Sequence, residues 1–570
     1  MEKFDAALRA YEMSDWRTAR LLALEVLAQE PRHAGALYIA GALELDAGDA
    51  ASALLKLKAA ADVSPDHPGI RRSLGQAFAA LDEWPQAVSA YHDALRLGPP
   101  DPGLLAELGL ALHEAEDFDG AVRAFELSLR LKPDDAAVYN NLAVTLNRKH
   151  DYEAAAAAYK RGLSLEPGNL GLLSNLAMLY EQMNEVELAE ETAAIGLGLE
   201  PRNGILNLVA ARCERRRGAP EDAIRRIEST LALDSTSLQA RRGLHFELGR
   251  DYDGIGEIDK AFRHFQSGNR IADELWPDMV AGGARYLEEL DEMLAACDEK
   301  LLRGLEKTPS PPSPNGLVFL VGFPRSGTTL MDTILGSHPE VAVMEEEPPL
   351  HKVHEAVFNA YGPDPRALSA LPEAKLDELR ALYWSEARKY LGDSLRPGQL
   401  VVDKNPFYST RALLIHRLFP DAKFVFALRH PCAVVLSCFM QPFGRNPALA
   451  NFTSLTGGAQ TYRRVMQLWL RFRSNLPLDC HELRYEALVT DKDTHVRSTL
   501  EFLGLGWDDA LSDHVAHAQK RGRIYTPSYH QVSRPLYTDS LNRWRNYESY
   551  MEEAVALLEP YIREFGYATT

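Results

Sequence analysis

The sequence predicts an all-α superhelical solenoid of helix-pair repeats, followed by a P-loop-like α/β domain with a central parallel sheet. Three observations predict it: a 34-residue period through the first half, a Pro-rich break at 308–316, and a strand–glycine loop–helix signature directly after that break. A chain of 570 residues is too long for one hydrophobic core, so several domains are expected.

Proline marks the period. Pro31, Pro65, Pro99, Pro133, Pro167 and Pro201 fall 34 residues apart. Ala19, Ala53, Ala87, Ala121, Ala155, Ala189 and Ala223 repeat at the same interval, as do Gly41, Gly75, Gly109, Ala143, Ala177 and Ala211. Each unit holds two amphipathic stretches, such as AVYNNLAVTLNR and YEAAAAAYKRGLSL. The small residues belong where paired helices approach most closely, and the proline ends the second helix because it cannot continue it. The last unit, LHFELGRDYDGIGEIDKAFRHFQ, is slipped by four residues, with Ala261 at 223 + 38. An atypical final unit is expected as a cap.

This pattern resembles the tetratricopeptide repeat over about residues 1–270. The resemblance implies a concave groove that takes a peptide or protein; the plainer alternative is an oligomerisation or spacer module, and a homodimer stays open. A further helical stretch at about 278–306 leads into TPSPPSPNG, whose four prolines read as a linker. The expected domains are the repeat array at 1–276, a connecting helix and Pro-rich linker at 277–316, and the α/β domain at 317–570.

LVFLVGF (317–323) is a short β-branched and aromatic run that reads as a buried strand. PRSGTT and then a helical pattern follow, the order of a phosphate-binding loop. GFPRSGTT has glycines at both positions of GxxxxGK[ST], but Thr328 stands where the lysine should be. That lysine serves the β- and γ-phosphates of a nucleoside triphosphate, so its absence argues against an ATPase or kinase. The loop still offers backbone N–H groups, the Arg325 guanidinium and the Thr328 and Thr329 hydroxyls to an anion.

Here the chain resembles the sulfotransferases. PRSGTT looks like that family's 5′-phosphosulfate loop, which implies that Arg325, Ser326, Gly327, Thr328 and Thr329 bind 3′-phosphoadenosine 5′-phosphosulfate (PAPS). KFVFALRHPCAVVLS (423–437) places Arg429 and Ser437 eight residues apart, as the family's 3′-phosphate pair does. The protein-tyrosine sulfotransferases are the nearest resemblance within the family. SHPEVAVMEEEP implies Glu346 as catalytic base, VVDKNPFY implies Lys404 as catalytic lysine, and LRYEAL implies Tyr485 at the adenosine. TPSYHQVSRPLYTDSLNRW is similar to the family's C-terminal cofactor segment, which implies Ser528 and Arg543 as contacts. Asn405 departs from the family's aspartate after the lysine.

The resemblance implies sulfuryl transfer to an acceptor hydroxyl, either tyrosine or another hydroxyl of a peptide or protein, with a saccharide or small molecule as the alternative. Lys404 and Arg325 would then stabilise charge, and no metal is needed. Glu345 and Glu347 remain alternatives to Glu346 as the base. A repeat scaffold carrying a degenerate domain, and a nucleotide kinase, are the competing classes.

The remaining features bound this reading. A net charge of −19 argues against a general nucleic-acid binder. Five widely spaced cysteines without a CxxC pair fit a reducing compartment and disfavour structural zinc. The first sixteen residues lack an apolar h-region, and no apolar run approaches a membrane span, so a cytoplasmic protein is expected. His351, His354 and Glu355 at helical spacing read as a solvated face rather than a metal site. Arg521 and Arg523 are either 3′-phosphate or acceptor contacts or a plain basic loop.

Overall fold

The computed structural model describes residues 2–232, 236–305, 315–346, 349–392, 395–513 and 541–568. By packing, the chain forms two compact units, Met1–Arg226 and Ile227–Thr570.

The first unit consists of helix pairs, from Glu2–Glu12 with Trp16–Gln29 through to Gly204–Arg216. Every member of the 34-spaced alanine register is fully buried, because the second helix of each pair crosses its neighbours there. A Cβ on Gly109 would lie 2.6 Å from the Phe125 ring, so the glycine makes room for the aromatic on the partner helix. Two further registers emerge in three dimensions. Asp15, Asp49, Asp117 and Asp151 each cap a second helix by accepting from a backbone N–H three residues on. The residue before each of these caps sits at positive φ (Ser14, Gly48, Glu116 and His150), as do Asp82, Asn184 and Gly218 at the equivalent turns of the other pairs. These turns set the angle at which each pair closes.

The second unit begins with the slipped repeat. Its helices, Leu238–Gly254 and Ile258–Leu275, have 17 and 18 residues against 13 and 14 in a typical pair such as Pro102–Glu114 and Phe118–Leu131. The four-residue slip is one extra helical turn in the first helix, and the second helix is longer by a further turn. The internal packing survives: Ala261 is fully buried, and Gly249 faces the Phe265 ring as Gly109 faces Phe125. This helix pair docks on the α/β domain. Phe262 stacks on Tyr550 at 4.0 Å, and Asn269 donates to the Phe439 carbonyl at 2.9 Å. Arg242 donates to the Phe443 carbonyl at 2.6 Å. The atypical pair thus buries one face against the α/β domain of the same unit. Helix Pro277–Ala296 continues this seam, with Asp291 paired to Arg464 of helix Leu455–Asn475 at 2.8 Å.

The sheet has five strands: β1 (Leu317–Val321), β2 (Val341–Glu345), β3 (Leu400–Lys404), β4 (Lys423–Leu428) and β5 (Asp479–Arg484). Their order is β2-β3-β1-β4-β5 and every pairing is parallel. β1 is buried at all five positions, as a central strand covered on both faces must be, which is why LVFLV is uninterrupted. From β1 the chain turns first toward β2 and β3 and later toward β4 and β5. The carboxyl end of β1 is therefore the switch point, where doubly wound sheets open a crevice.

Among the described residues, no helix is long and apolar enough to cross a membrane. Nor does any group of three or more His, Cys, Asp or Glu side chains form a metal-holding cluster there.

Candidate active site

All five strands deliver their carboxyl ends to one place. The loop 322–327 follows β1, Glu345 and Glu346 end β2, Lys404 ends β3, Arg429 follows β4 and Tyr485 follows β5.

The loop is tightly built. Ser326, Thr328 and Thr329 are buried, and Ser326 donates its backbone N–H to the Phe323 carbonyl at 3.1 Å. Gly327 caps helix Thr328–Gly336 at φ 101°, a region L side chains avoid, and an added Cβ would lie 2.6 Å from the Tyr485 ring. The segment after Lys404 braces the loop from below. Gly322 donates to the Pro406 carbonyl at 3.0 Å, and the Ser409 hydroxyl donates to the Gly322 carbonyl at 3.1 Å. Gly327→Ala is expected to lower stability by about 1–3 kcal/mol through backbone strain. It should also push Tyr485 away and weaken nucleotide binding. Urea unfolding and calorimetry check both, and an unchanged affinity would contradict this geometry.

On one side of the loop the structure brings Arg325, Arg429, Ser437 and Tyr485 together. Arg325 donates from Nε to the Ser437 hydroxyl at 3.1 Å, and Arg429 donates to the Arg325 carbonyl at 3.2 Å. The Arg429 guanidinium lies over the Tyr485 ring, 4.4 Å from its centroid. Two cations, a hydroxyl and an aromatic face converge here from three strand ends, an arrangement suited to a phosphorylated nucleoside.

On the other side Lys404 is fully buried among three carboxylates. Its Nζ is 2.9 Å from Glu346, 3.4 Å from Asp332 and 3.5 Å from Glu345. Burial alone would lower its pKa, but the charges of Asp332, Glu346 and Glu345 outweigh burial and hold it well above the ordinary lysine value. Lys404 therefore stays charged throughout the physiological range. Parallel register places Glu345 opposite Lys404, so Glu345 is buried beside it, whereas the Glu346 side chain is 41% exposed. Arg325 and Glu346 are the only described non-glycine residues of the α/β domain at positive φ, 71° and 53°. Strained backbone of this kind concentrates at functional sites, where the surroundings hold it in place.

The other sequence candidates fall elsewhere. Arg543 is taken up by Asp253 of the slipped repeat, with contacts at 2.5 and 3.1 Å, so it joins the seam rather than the Arg325–Arg429 group. Ser528, Arg521, Arg523 and Glu347 lie outside the described residues. His354 does not lie on a solvated face. Arg411 donates to its Nε2 at 2.6 Å, and burial with the neighbouring Arg411 charge lowers its pKa to about 3, which makes it a poor base. His351 remains exposed and sits 3.4 Å from Glu355. Sequence reasoning missed Asp332. Its signal was a lone acid one turn after Thr328 in an otherwise apolar helix, TTLMDTILG.

Residues 318–509 match the sulfotransferase family, and 4–68, 43–102 and 106–169 match the tetratricopeptide repeat. An uncharacterized protein of Aquifex aeolicus is 27% identical over 353 residues, covering 60% of this chain and 44% of the other. The chain thus spans less than half the length of that relative. Protein-tyrosine sulfotransferase 2 of Gallus gallus is 27% identical over 266 residues, covering 44% of this chain and 69% of the other. Protein-tyrosine sulfotransferase 1 of Danio rerio is 26% identical over 267 residues, covering 44% and 72%.

Proposed function

We propose that this chain, which joins a tetratricopeptide-repeat array to a sulfotransferase-family domain, moves a sulfuryl group from PAPS to an acceptor hydroxyl, a tyrosine or another hydroxyl of a peptide or protein held by the repeats. The observation that carries the reading is the convergence of a lysine-free phosphate loop, Arg429 with Ser437, and Lys404 with Glu346 on one crevice.

PAPS supplies a reactive sulfuryl–phosphate bond, and the protein's task is to orient it and neutralise developing charge. Ser326, Gly327, Thr328, Thr329 and the loop amides hold the 5′-phosphate. Arg429 and Ser437 hold the 3′-phosphate, and Tyr485 stacks on the adenosine. Arg325 and Lys404 face the charge that grows on the leaving phosphate oxygen. Lys404 lets go of Glu346 as it takes up that oxygen, which frees the exposed carboxylate to accept the acceptor's hydroxyl proton. The acceptor oxygen bonds to sulfur, the sulfur–phosphate oxygen bond breaks, and adenosine 3′,5′-bisphosphate leaves with the electron pair. All the cations in this scheme are side chains. Arg543 and Ser528 would close the nucleotide end; for Arg543 this requires release from Asp253.

Calorimetry tests the nucleotide site. Adenosine 3′,5′-bisphosphate should bind far more tightly than ATP, whose γ-phosphate has no loop lysine to meet. Equal affinities would argue against the reading. Support for a macromolecular acceptor rests on the repeats alone: removal of residues 1–226, one whole compact unit, should raise KM for such an acceptor while leaving phenol sulfation near its original rate.

A further inference from the structure

A cavity of ≈ 520 Å³ lies between helices Pro277–Ala296 and Pro349–Tyr361 and the segment 410–414. It shares no lining residue with the loop 322–329, Lys404, Arg429 or Ser437. Its size falls within the range of small-molecule sites, roughly 300–1,000 Å³. Met293, Val357, Phe358, Leu413 and Leu414 supply apolar walls.

One end is polar in a specific way. Arg411 lines the cavity, and burial pulls its guanidinium below its ordinary pKa. Its hydrogen-bond partner is the ring nitrogen of His354, at 2.6 Å, and among the described residues no carboxylate lies within ion-pair distance, although the more distant Glu289 charge partly offsets the effect of burial. His354, with a pKa near 3, is neutral and offers only a lone pair there. Arg411 is partly buried at the cavity wall, and a planar carboxylate is the group that fits its guanidinium donors. The mouth is acidic: Glu289 and Glu292 line it as exposed residues, and the charge of Asp364 is already met by Arg366. Such a rim repels a polyanion far more than a monoanion, so the ligand that fits carries a single negative charge, held by Arg411, on an apolar body.

We propose that this cavity is a binding site for a carboxylate-bearing amphiphile, with Arg411 on the acid group and the Val357–Leu413 walls around the hydrocarbon. The site is independent of the phosphosulfate loop and stands whether or not the chain transfers sulfate.

The test compares decanoate with decan-1-ol on the full chain by calorimetry. Decanoate should bind at one saturable site, about 10- to 100-fold tighter than the alcohol, as a charge-assisted hydrogen-bond pair contributes. Arg411→Met should erase that ratio while leaving binding of adenosine 3′,5′-bisphosphate intact. Phe358→Glu, which adds a negative charge at the exposed rim, should lower the ratio without touching Arg411, and it serves if Arg411→Met does not fold. Absence of saturable decanoate binding, equal affinities for acid and alcohol, or an unchanged ratio in the folded variant would each overturn the proposal.

Discussion

Glu346→Gln is expected to bind the nucleotide normally and to turn over about 10²–10⁴-fold more slowly, as loss of a general base costs. The side chain keeps its shape, and a glutamine oxygen can still accept from Lys404. What disappears is the capacity to take a proton. Glu346 is suited to that task because its carboxylate is 41% exposed while its neighbour Glu345 is buried beside Lys404. Glu345→Gln should act differently. It removes one of the charges that hold Lys404 above its ordinary pKa, so its first readout is stability. Steady-state assays with a phenolic acceptor, alongside calorimetry with adenosine 3′,5′-bisphosphate, separate the two. Normal turnover in Glu346→Gln with loss in Glu345→Gln would reassign the base.

Arg429→Ala should abolish discrimination at the 3′-phosphate. Arg429 donates to the Arg325 carbonyl and lies against the Tyr485 ring, so its guanidinium is already oriented before any ligand arrives. Truncation removes the charge assigned to the 3′-phosphate and leaves the 5′ loop in place. Binding of adenosine 3′,5′-bisphosphate should weaken by about 10- to 100-fold, the worth of a hydrogen bond to a charged group. Adenosine 5′-monophosphate, which lacks the 3′-phosphate, should bind the variant and the parent alike. If both nucleotides weaken equally, Arg429 supports the loop rather than the 3′-phosphate.

Much of this was legible in the sequence because the signals were local or periodic. The alanine register is visible at a 34-residue spacing and is fully buried in three dimensions. The lysine-free loop, Arg429 and Ser437 come to the same crevice because each motif lies within a few residues of its own strand end or on the helix that follows it. What escaped the sequence was decided by contacts across long separations. The carboxylates around Lys404 come from helix Thr328–Gly336 and strand β2, and parallel register makes Glu345 its neighbour. His354 shares a spacing with His351 and Glu355, but Arg411, 57 residues on, turns it inward. Arg543 reads as a cofactor contact by position, yet Asp253, 290 residues earlier, holds it in this structure. The slipped repeat read as an atypical final unit; that its Phe262 would stack between Phe439 and Tyr550 depended on the sheet domain being there.

The central claim is that the crevice at the carboxyl ends of the strands transfers sulfate from PAPS. The most direct measurement is transfer of radiolabelled sulfate from PAPS by the full chain, screened over tyrosine peptides, glycans and simple phenols. Labelled ester and adenosine 3′,5′-bisphosphate should form in equal amounts with at least one hydroxyl acceptor, and Lys404→Ala should stop both. A folded protein that binds the bisphosphate tightly yet releases no label to any acceptor would contradict the account and leave the domain as a nucleotide-binding scaffold.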